Sequence, residues 1–319
     1  MKKTFGLFVL ILFVFSFGYG QTVSFMPAWQ VGETHTYSFT QVKTKYKLVD
    51  GEQTITSNDT SSYNAHFEVI EEGIDYYKIK MTEEVGDILN ITDSLKDILY
   101  LPEGFKDVAV IYTTNRNGEL QVIDNWEEIA ENMRLLCDSL LSPMYEEYPF
   151  METIMKQMKL LYSSQESIQN IMFKDLFLLH FLFGAEMEVG YSYPYEETLP
   201  NAFAADQPLR ATSILGIDTL MTDQSICRVK RYSYVNEKDC KKLVQNIIKT
   251  MAKTMAGFGG QKIAKEAKGM KMVITDDYTF DYSTLEHMPV HINAQRSTRT
   301  ILKQQDAMQV EERIIKLLE

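Results

Sequence analysis

His287 and His291 stand four residues apart, the spacing that on a helix sets two imidazoles on one face for a transition metal. Pro289 lies between them and turns the segment into a turn entering a strand. Extended chain holds such a pair about 13 Å apart, too far to share one ion. Gly257-Phe258-Gly259-Gly260-Gln261-Lys262 has the glycines and lysine of a phosphate loop. It follows a helical stripe instead of a strand and has no Ser or Thr after the lysine, so it reads as a helix stop with a connector. Gly190-Tyr191-Ser192-Tyr193-Pro194 lacks the second glycine of a nucleophile elbow. Asp276, Asp277 and Asp281, or Glu83 and Glu84, could supply the two carboxylates of a glycoside hydrolase, which stand about 5 to 9 Å apart across the sugar. With 44 acids in the chain such neighbours are expected by chance, and these read as charged, solvated strand edges. Hydrolysis is kept as a third reading, with no catalytic residue, metal ligand or cofactor assigned.

Cys137, Cys227 and Cys240 are an odd set, so no more than one internal bridge can form. Cys137 falls on an apolar helical face with Met133, Leu136 and Leu140. Cys227 and Cys240 flank a strand-to-helix turn, where a bridge and two free thiols are both open. Without a CxxC pair, neither zinc nor thioredoxin chemistry is supported.

Lys2 and Lys3, the apolar run Phe5 to Phe17, and Gly18-Tyr19-Gly20 follow the order of a secretory signal, with cleavage expected between Gly20 and Gln21. The apolar run is about 13 residues, short of the roughly 20 that cross a bilayer. No later segment is apolar over such a length, so no integral span is expected after cleavage. Cleavage removes two lysines and no acid, taking the net charge from -12 to -14. With Lys and Arg scattered through the chain, nucleic acid is a poor partner. Residues 21–319 are expected to form a single domain that is periplasmic or secreted.

The elements that must position any site come from periodicity. Glu33 to Val49 reads as a long strand ending at the Asp50-Gly51 turn. Tyr63, Ala65, Phe67 and Val69, then Tyr77, Ile79 and Met81, alternate as two further strands with one dry face each. Val108 to Thr114 and Leu120 to Ile123 bracket Asn117-Gly118, a tight hairpin. Asn125, with Glu128 three residues on, is expected to cap a helix. Short helices are expected at Asp93 to Leu101 and Phe150 to Leu161, and another from the Ser163/Glu166 pair to Phe183, apolar nearly all round and so the most buried. Strands return at Met187 to Tyr193, Leu209 to Met221 and Ser225 to Val235. A helix after Asn236 carries the stripe Cys240, Leu243, Val244, Ile247, Ile248, Met251 and Met255. Three closing strands are expected at Met270 to Tyr282, Pro289 to Ile301 and Met308 to Leu317.

Neighbouring strands interrupted by helical blocks point to an α+β fold, a large curved antiparallel sheet resembling half a barrel with helices packed on its concave face. The 17 Met and the Leu stripes are core by the plainest reading; flexible Met side chains between sheet and helix also suit an adaptable apolar ligand. The candidate lining is Phe67, Tyr77 and Ile79 from the sheet and Ile247, Met251 and Met255 from the helix. The leading expectation is a non-enzymatic exported protein that binds a lipid-like ligand or an envelope partner in this cleft. A structural or interaction module with a filled core is the alternative.

Three stations, Trp29-x-x-Gly32-Glu33-x-x-x-Tyr37, Tyr112-Thr113-Thr114 with Gly118, Leu120 and Trp126, and Tyr278-x-Phe280-Asp281-x-x-Thr284 before Pro289, are similar to ones in uncharacterised exported bacterial proteins. The expected layout also resembles the half-barrel of periplasmic lipoprotein carriers, which implies a sheet wrapped round helices and an apolar cavity.

Overall fold

The structure is a computed structural model and describes residues 20–49, 52–83, 109–141, 164–199, 201, 207–254, 262, 265, 267–302 and 305–318. The expected signal, the short helices near 93–101 and 150–161, the glycine-rich connector apart from Lys262, Glu84 and Met255 lie outside the described residues.

In chain order come β1 (Thr22–Ser24), β2 (Thr34–Val49), β3 (Glu52–Glu72), β4 (Tyr76–Glu83), β5 (Val110–Asn115), β6 (Leu120–Ile123), α1 (Trp126–Leu141), α2 (Gln165–Met172), α3 (Lys174–His180), β7 (Glu186–Glu188), β8 (Ser192–Leu199), β9 (Leu209–Met221), β10 (Ile226–Val235), α4 (Glu237–Thr254), β11 (Lys271–Ser283), β12 (Met288–Leu302) and β13 (Gln305–Leu317). Eleven strands form one antiparallel sheet in the order β6-β5-β4-β3-β2-β13-β12-β11-β10-β9-β8, and β1 pairs with β7. The sheet does not close into a barrel, because its end strands β6 and β8 are not paired with each other. Its middle seam joins the first long strand to the last, with Phe39 opposite Ile315.

Turn chemistry explains several boundaries. Gly118, at φ 89°, closes a three-residue loop in which its N–H donates to Asn115 O (3.0 Å) and Asn115 N–H to Glu119 O (3.0 Å). A Cβ on Gly118 would also meet the Phe183 ring at 2.8 Å. Asn236 caps α4 by accepting from Lys238 N–H at 3.0 Å. Asn125 departs from the expected capping box. Its amide accepts from Ile111 N–H (2.9 Å) and donates to Ala109 O (2.8 Å) and Glu128 (3.2 Å), tying the start of α1 to β5.

Two expectations are corrected. The helix read from 163 to 183 is broken into α2 and α3 at Phe173, which leaves the helical region (φ -105°, ψ 36°) and buries its ring. The strand read over Met187 to Tyr193 is two short strands, because Gly190 at φ 81° makes a turn between β7 and β8.

One face of the sheet carries the core, and alternation selects it: Tyr37 and Phe39, Ala65 and Phe67, Phe280 and Tyr282 all point to it. Leu176 and Leu179 of α3 join that cluster. Val229 and Val235 share one parity on β10; Val229 belongs to this cluster and Val235 to a second one with Cys240 and Leu243 of α4. The helices α3 and α4 therefore cover the same face at different levels. Cys227 and Cys240 are buried free thiols in separate clusters, which settles that pair as unbridged.

Rings from outside the sheet link its distant strands. Trp29 meets Tyr77 of β4 at 5.4 Å and Phe183 at 5.0 Å, and Phe183 meets Tyr282 of β11 at 6.1 Å. His180 sits among them, against Trp29 at 5.9 Å and Tyr112 at 5.3 Å. The Gly118 carbonyl, 2.8 Å from Nδ1, can only accept, so Nδ1 carries the proton and Nε2 accepts from Tyr112 Oη at 3.0 Å. Burial drives the His180 pKa down to about 4, against the opposing effect of the Gly118 hydrogen bond.

The unfolded chain takes up this proton near the ordinary histidine value of about 6.5, whereas the folded chain refuses it until about 4. The stabilisation is complete above about pH 6.5 and is lost as the pH falls toward 4, a difference of about 3 kcal/mol. Urea unfolding at about pH 7.5 and about pH 4 should show His180→Gln losing less stability than the wild type by roughly this amount. Equal losses would refute the assignment.

Candidate functional site

At one level of the core face, apolar side chains give way to charge on strand after strand. Two residues along from Val229, Phe280, Ala294, Ile315 and Phe39 come Arg231, Tyr278, Arg296, Arg313 and Gln41. Register sets the next members side by side: Ser233 opposite Asp276, Asp276 opposite Arg296, Arg296 opposite Glu311, Glu311 opposite Lys43. The result is a polar belt across the sheet.

Arg231 is 3% exposed. It donates through Nε to Tyr195 Oη at 2.8 Å and through Nη2 to Glu197, which also accepts from Ser213 and Ser233. Its guanidinium lies over the Tyr278 ring at 4.8 Å and near Phe181 at 5.7 Å. Nη1 makes no hydrogen bond and stands 3.9 Å from Asp276 Oδ2. Asp276, 1% exposed, accepts both arms of Arg296 at 2.7 and 2.8 Å. The Asp276 hydrogen bonds raise the Arg296 pKa further.

The belt continues through Glu311, which accepts from Gln41 (2.7 Å) and Arg313 (2.7 Å). Arg313 also donates to Asp175 of α3 at 2.6 Å, and Asp175 accepts from Tyr63 Oη at 3.2 Å. Burial and then the Asp175 charge raise the Glu83 pKa. Burial would raise Glu311 as well, but Arg313, Lys174 and Lys43 overcome it and its pKa falls. Burial lowers the Lys174 pKa; Glu311 opposes this, while Arg313, Arg296 and Lys43 add to it.

Glu197, Asp276, Glu311 and Asp175 all accept from arginine, so none is left as a free base. Pairing of this kind fixes charged side chains across neighbouring strands. Asp276 and Asp281 are buried ion-pair members on interior strand β11, which corrects their reading as solvated edges. His287 lies in the β11–β12 turn at φ 58° and His291 on β12, 3.7 Å from Asp281. No group of three or more His, Cys, Asp or Glu among the described residues is placed to hold a metal.

The sequence-derived lining is split. Phe67 and Ile79 border a cavity of about 30 Å³ with Trp29, Tyr37, Tyr112 and Leu179, room for a water or two and no more. Tyr77 packs on Trp29 in the same cluster. Ile247 packs against the second cluster on the α4 side. The side chain of Met251, like Met255, lies outside the described residues. The belt residues escaped attention although a signal was present. Arg231 shares its parity with Cys227 and Val229, and a charge on an inward parity marks a buried ion pair.

Among the described residues no helix is long and apolar enough to cross a membrane. No protein-family model matches the chain, and no curated protein matches it. Among solved structures, lipovitellin, from a study of its lipid–protein interactions, is similar over 91% of this chain at 8% identity and a TM-score of 0.40. That match covers 25% of the lipovitellin chain, so this chain spans about a quarter of its length. The outer membrane protein OprG of Pseudomonas aeruginosa (4% identity, TM-score 0.16, 92% of this chain and 96% of that one) also matches. So does an outer membrane channel of Pseudomonas putida F1 (8%, 0.17, 92% and 97%). All three fall below the similarity that establishes a shared fold.

Removing the carboxylate of Asp276 takes both hydrogen bonds from the part-exposed Arg296 and a nearby charge from the buried Arg231. Asp276→Ala should lower stability by about 2 to 3 kcal/mol in urea unfolding. Asp306→Ala, at the exposed Arg299–Asp306 pair, should leave the midpoint unmoved.

Proposed function

We propose that residues 1–20 direct export, that residues 21–319 form one α+β domain, and that this domain is a non-enzymatic binder of a lipid-like ligand. The ring contacts support a sheet curved around its helices. Tyr77 and Tyr282 are joined through 5.4, 5.0 and 6.1 Å steps, yet β4 and β11 are five strand spacings apart, about 24 Å in a flat sheet. Bending toward the helices brings the rings together and makes that face concave.

The carrying observation is the outer face of α3. Phe177 and Phe181 are 39% and 36% exposed, although α3 is the helix read from sequence as the most buried. Phe181 stacks on Phe280 at 5.0 Å with the rings nearly parallel, so its ring is held in place and needs no ligand to order it. The apolar seat is accordingly assigned to Phe177 and Phe181, while Ile247 packs against the second cluster on the α4 side and Met251 and Met255 continue its stripe in sequence. Phe67, Tyr77 and Ile79 serve as core.

A second reading, a module that binds an envelope partner over a filled core, is favoured by the water-sized cavity beside Phe67.

Purified mature protein should bind a fluorescent fatty acid, and the double variant Phe177→Ser with Phe181→Ser should bind it about tenfold more weakly, with stability lowered by only about 1 kcal/mol for the lost stack on Phe280. No uptake by the wild type, together with a ligand-free mass from the native host, would replace this reading with the second.

A further inference from the structure

Gln21 is the first residue that export cleavage would leave on the mature chain, and the fold holds it by one group only. Its carbonyl accepts from Val189 N–H at 2.8 Å, one step before β1 pairs with β7 through Thr22 and Glu188. The residue is exposed, and neither its backbone nitrogen nor its side-chain amide makes a hydrogen bond with a described residue. Every residue type has that carbonyl, so these contacts do not call for glutamine.

Glutamine differs in its reach. Its side-chain carbon Cδ stands where it closes a five-membered ring on its own α-nitrogen, with an amide nitrogen as leaving group. Asparagine is one methylene short, and glutamate presents a carboxylate that an amine does not attack. In the precursor the α-nitrogen is a peptide amide bonded to Gly20 and is no nucleophile. Cleavage makes it an amine.

We propose that Gln21 closes to pyroglutamate once cleavage has freed its α-nitrogen, so that the mature chain begins with a neutral lactam. This rests on the export reading above and adds to it the chemical state of the new terminus. The amine lone pair attacks Cδ; the N–Cδ bond forms, the Cδ–Nε2 bond breaks, and Nε2 leaves as ammonia with the proton that the α-nitrogen gives up. No oxidant or second reactant enters. The carbonyl that bonds Val189 takes no part, so the end of the ladder survives closure.

One contact opposes the ring. The Glu188 carboxyl group lies against Gly20, where a Cβ would run into it, so an open terminus would set an ammonium beside a carboxylate. Glu188 is itself exposed, and a pair of that kind is weak and screened by salt. Loss of ammonia is not reversed in dilute solution. What closure secures is the anchor behind it: Phe25, fully buried, is bonded to Gly184 and Ala185, and an exopeptidase that needs a free amino group stops at a lactam before reaching it.

The intact mass of the protein recovered from its exporting host tests this. The expected product has the mass of Gln21–Glu319 less one ammonia, resists stepwise amino-terminal degradation, and carries the loss in its first proteolytic fragment. Gln21→Asn, too short to close the ring, should keep the full mass of its own residues 21–319. The full mass of Gln21–Glu319 in the wild type would overturn the ring and leave the export reading standing. A mass that retains residues 1–20 would overturn the export reading with the ring, and a chain starting elsewhere would overturn the cleavage site with the ring. An ammonia loss that persists in Gln21→Asn, carried by the fragment with Asn117 and Gly118, would replace the ring with a succinimide at that turn.

Discussion

Three rings outside the sheet, those of Trp29, His180 and Phe183, join strands that no hydrogen-bond ladder brings together. Each ladder holds a strand only to its neighbours, so a sheet of eleven strands has no internal reason to present one compact core. The rings provide it. They arrive from two segments, the stretch after β1 and the end of α3, which are clamped by Phe25 N–H donating to Ala185 O and Gly184 N–H to Phe25 O. The β5–β6 turn is fastened to the same point, because Gly118 lends its carbonyl to His180 and its missing side chain to the Phe183 ring. A neutral imidazole is suited to this place: it satisfies one donor and one acceptor and still packs as an aromatic ring.

Where the rings stop, the belt begins. Charged groups on an inward face carry a heavy dehydration penalty unless they are paired. Here Arg231 with Glu197 and Arg296 with Asp276 pair laterally, between next-neighbouring and neighbouring strands, so those pairs depend on register. A slip of one residue in β10 would turn Arg231 outward and bring Tyr232, half exposed on the opposite face, into its place. Asp276 would then face Arg296 without its second cation. The belt thus penalises misregistered sheets, a service that apolar residues, interchangeable in contact, do less well.

The two faces of α3 tie these layers together. Its inner face supplies Leu176, Leu179 and His180 to the ring core, and its start supplies Asp175 to the belt. Its outer face keeps Phe177 and Phe181 in water beside fixed charges. Phe181 is positioned by Phe280 beneath it and by Arg231 nearby, both anchored in the sheet. Rings held in place in this way would meet a ligand without an ordering penalty of their own.

Alternation and turn chemistry determined a good deal of this from sequence. The limits Leu209–Met221 of β9 and Leu120–Ile123 of β6 are as read, β2 ends at Val49 and β3 begins at Glu52, and an antiparallel sheet with α4 after Asn236 follows from periods of two and 3.6. Even the inward parity of Arg231 was legible. The tertiary structure alone decided that β2 pairs with β13, that the apolar run ending at Phe183 breaks at Phe173, and that two of its rings stay exposed. It alone chose the partners of the belt: Arg231 with Glu197 is 34 residues distant and Arg313 with Asp175 is 138. Periodicity says which way a side chain points within its own strand. Which charge it meets depends on lateral order and register among strands remote in the chain, and no local pattern encodes that.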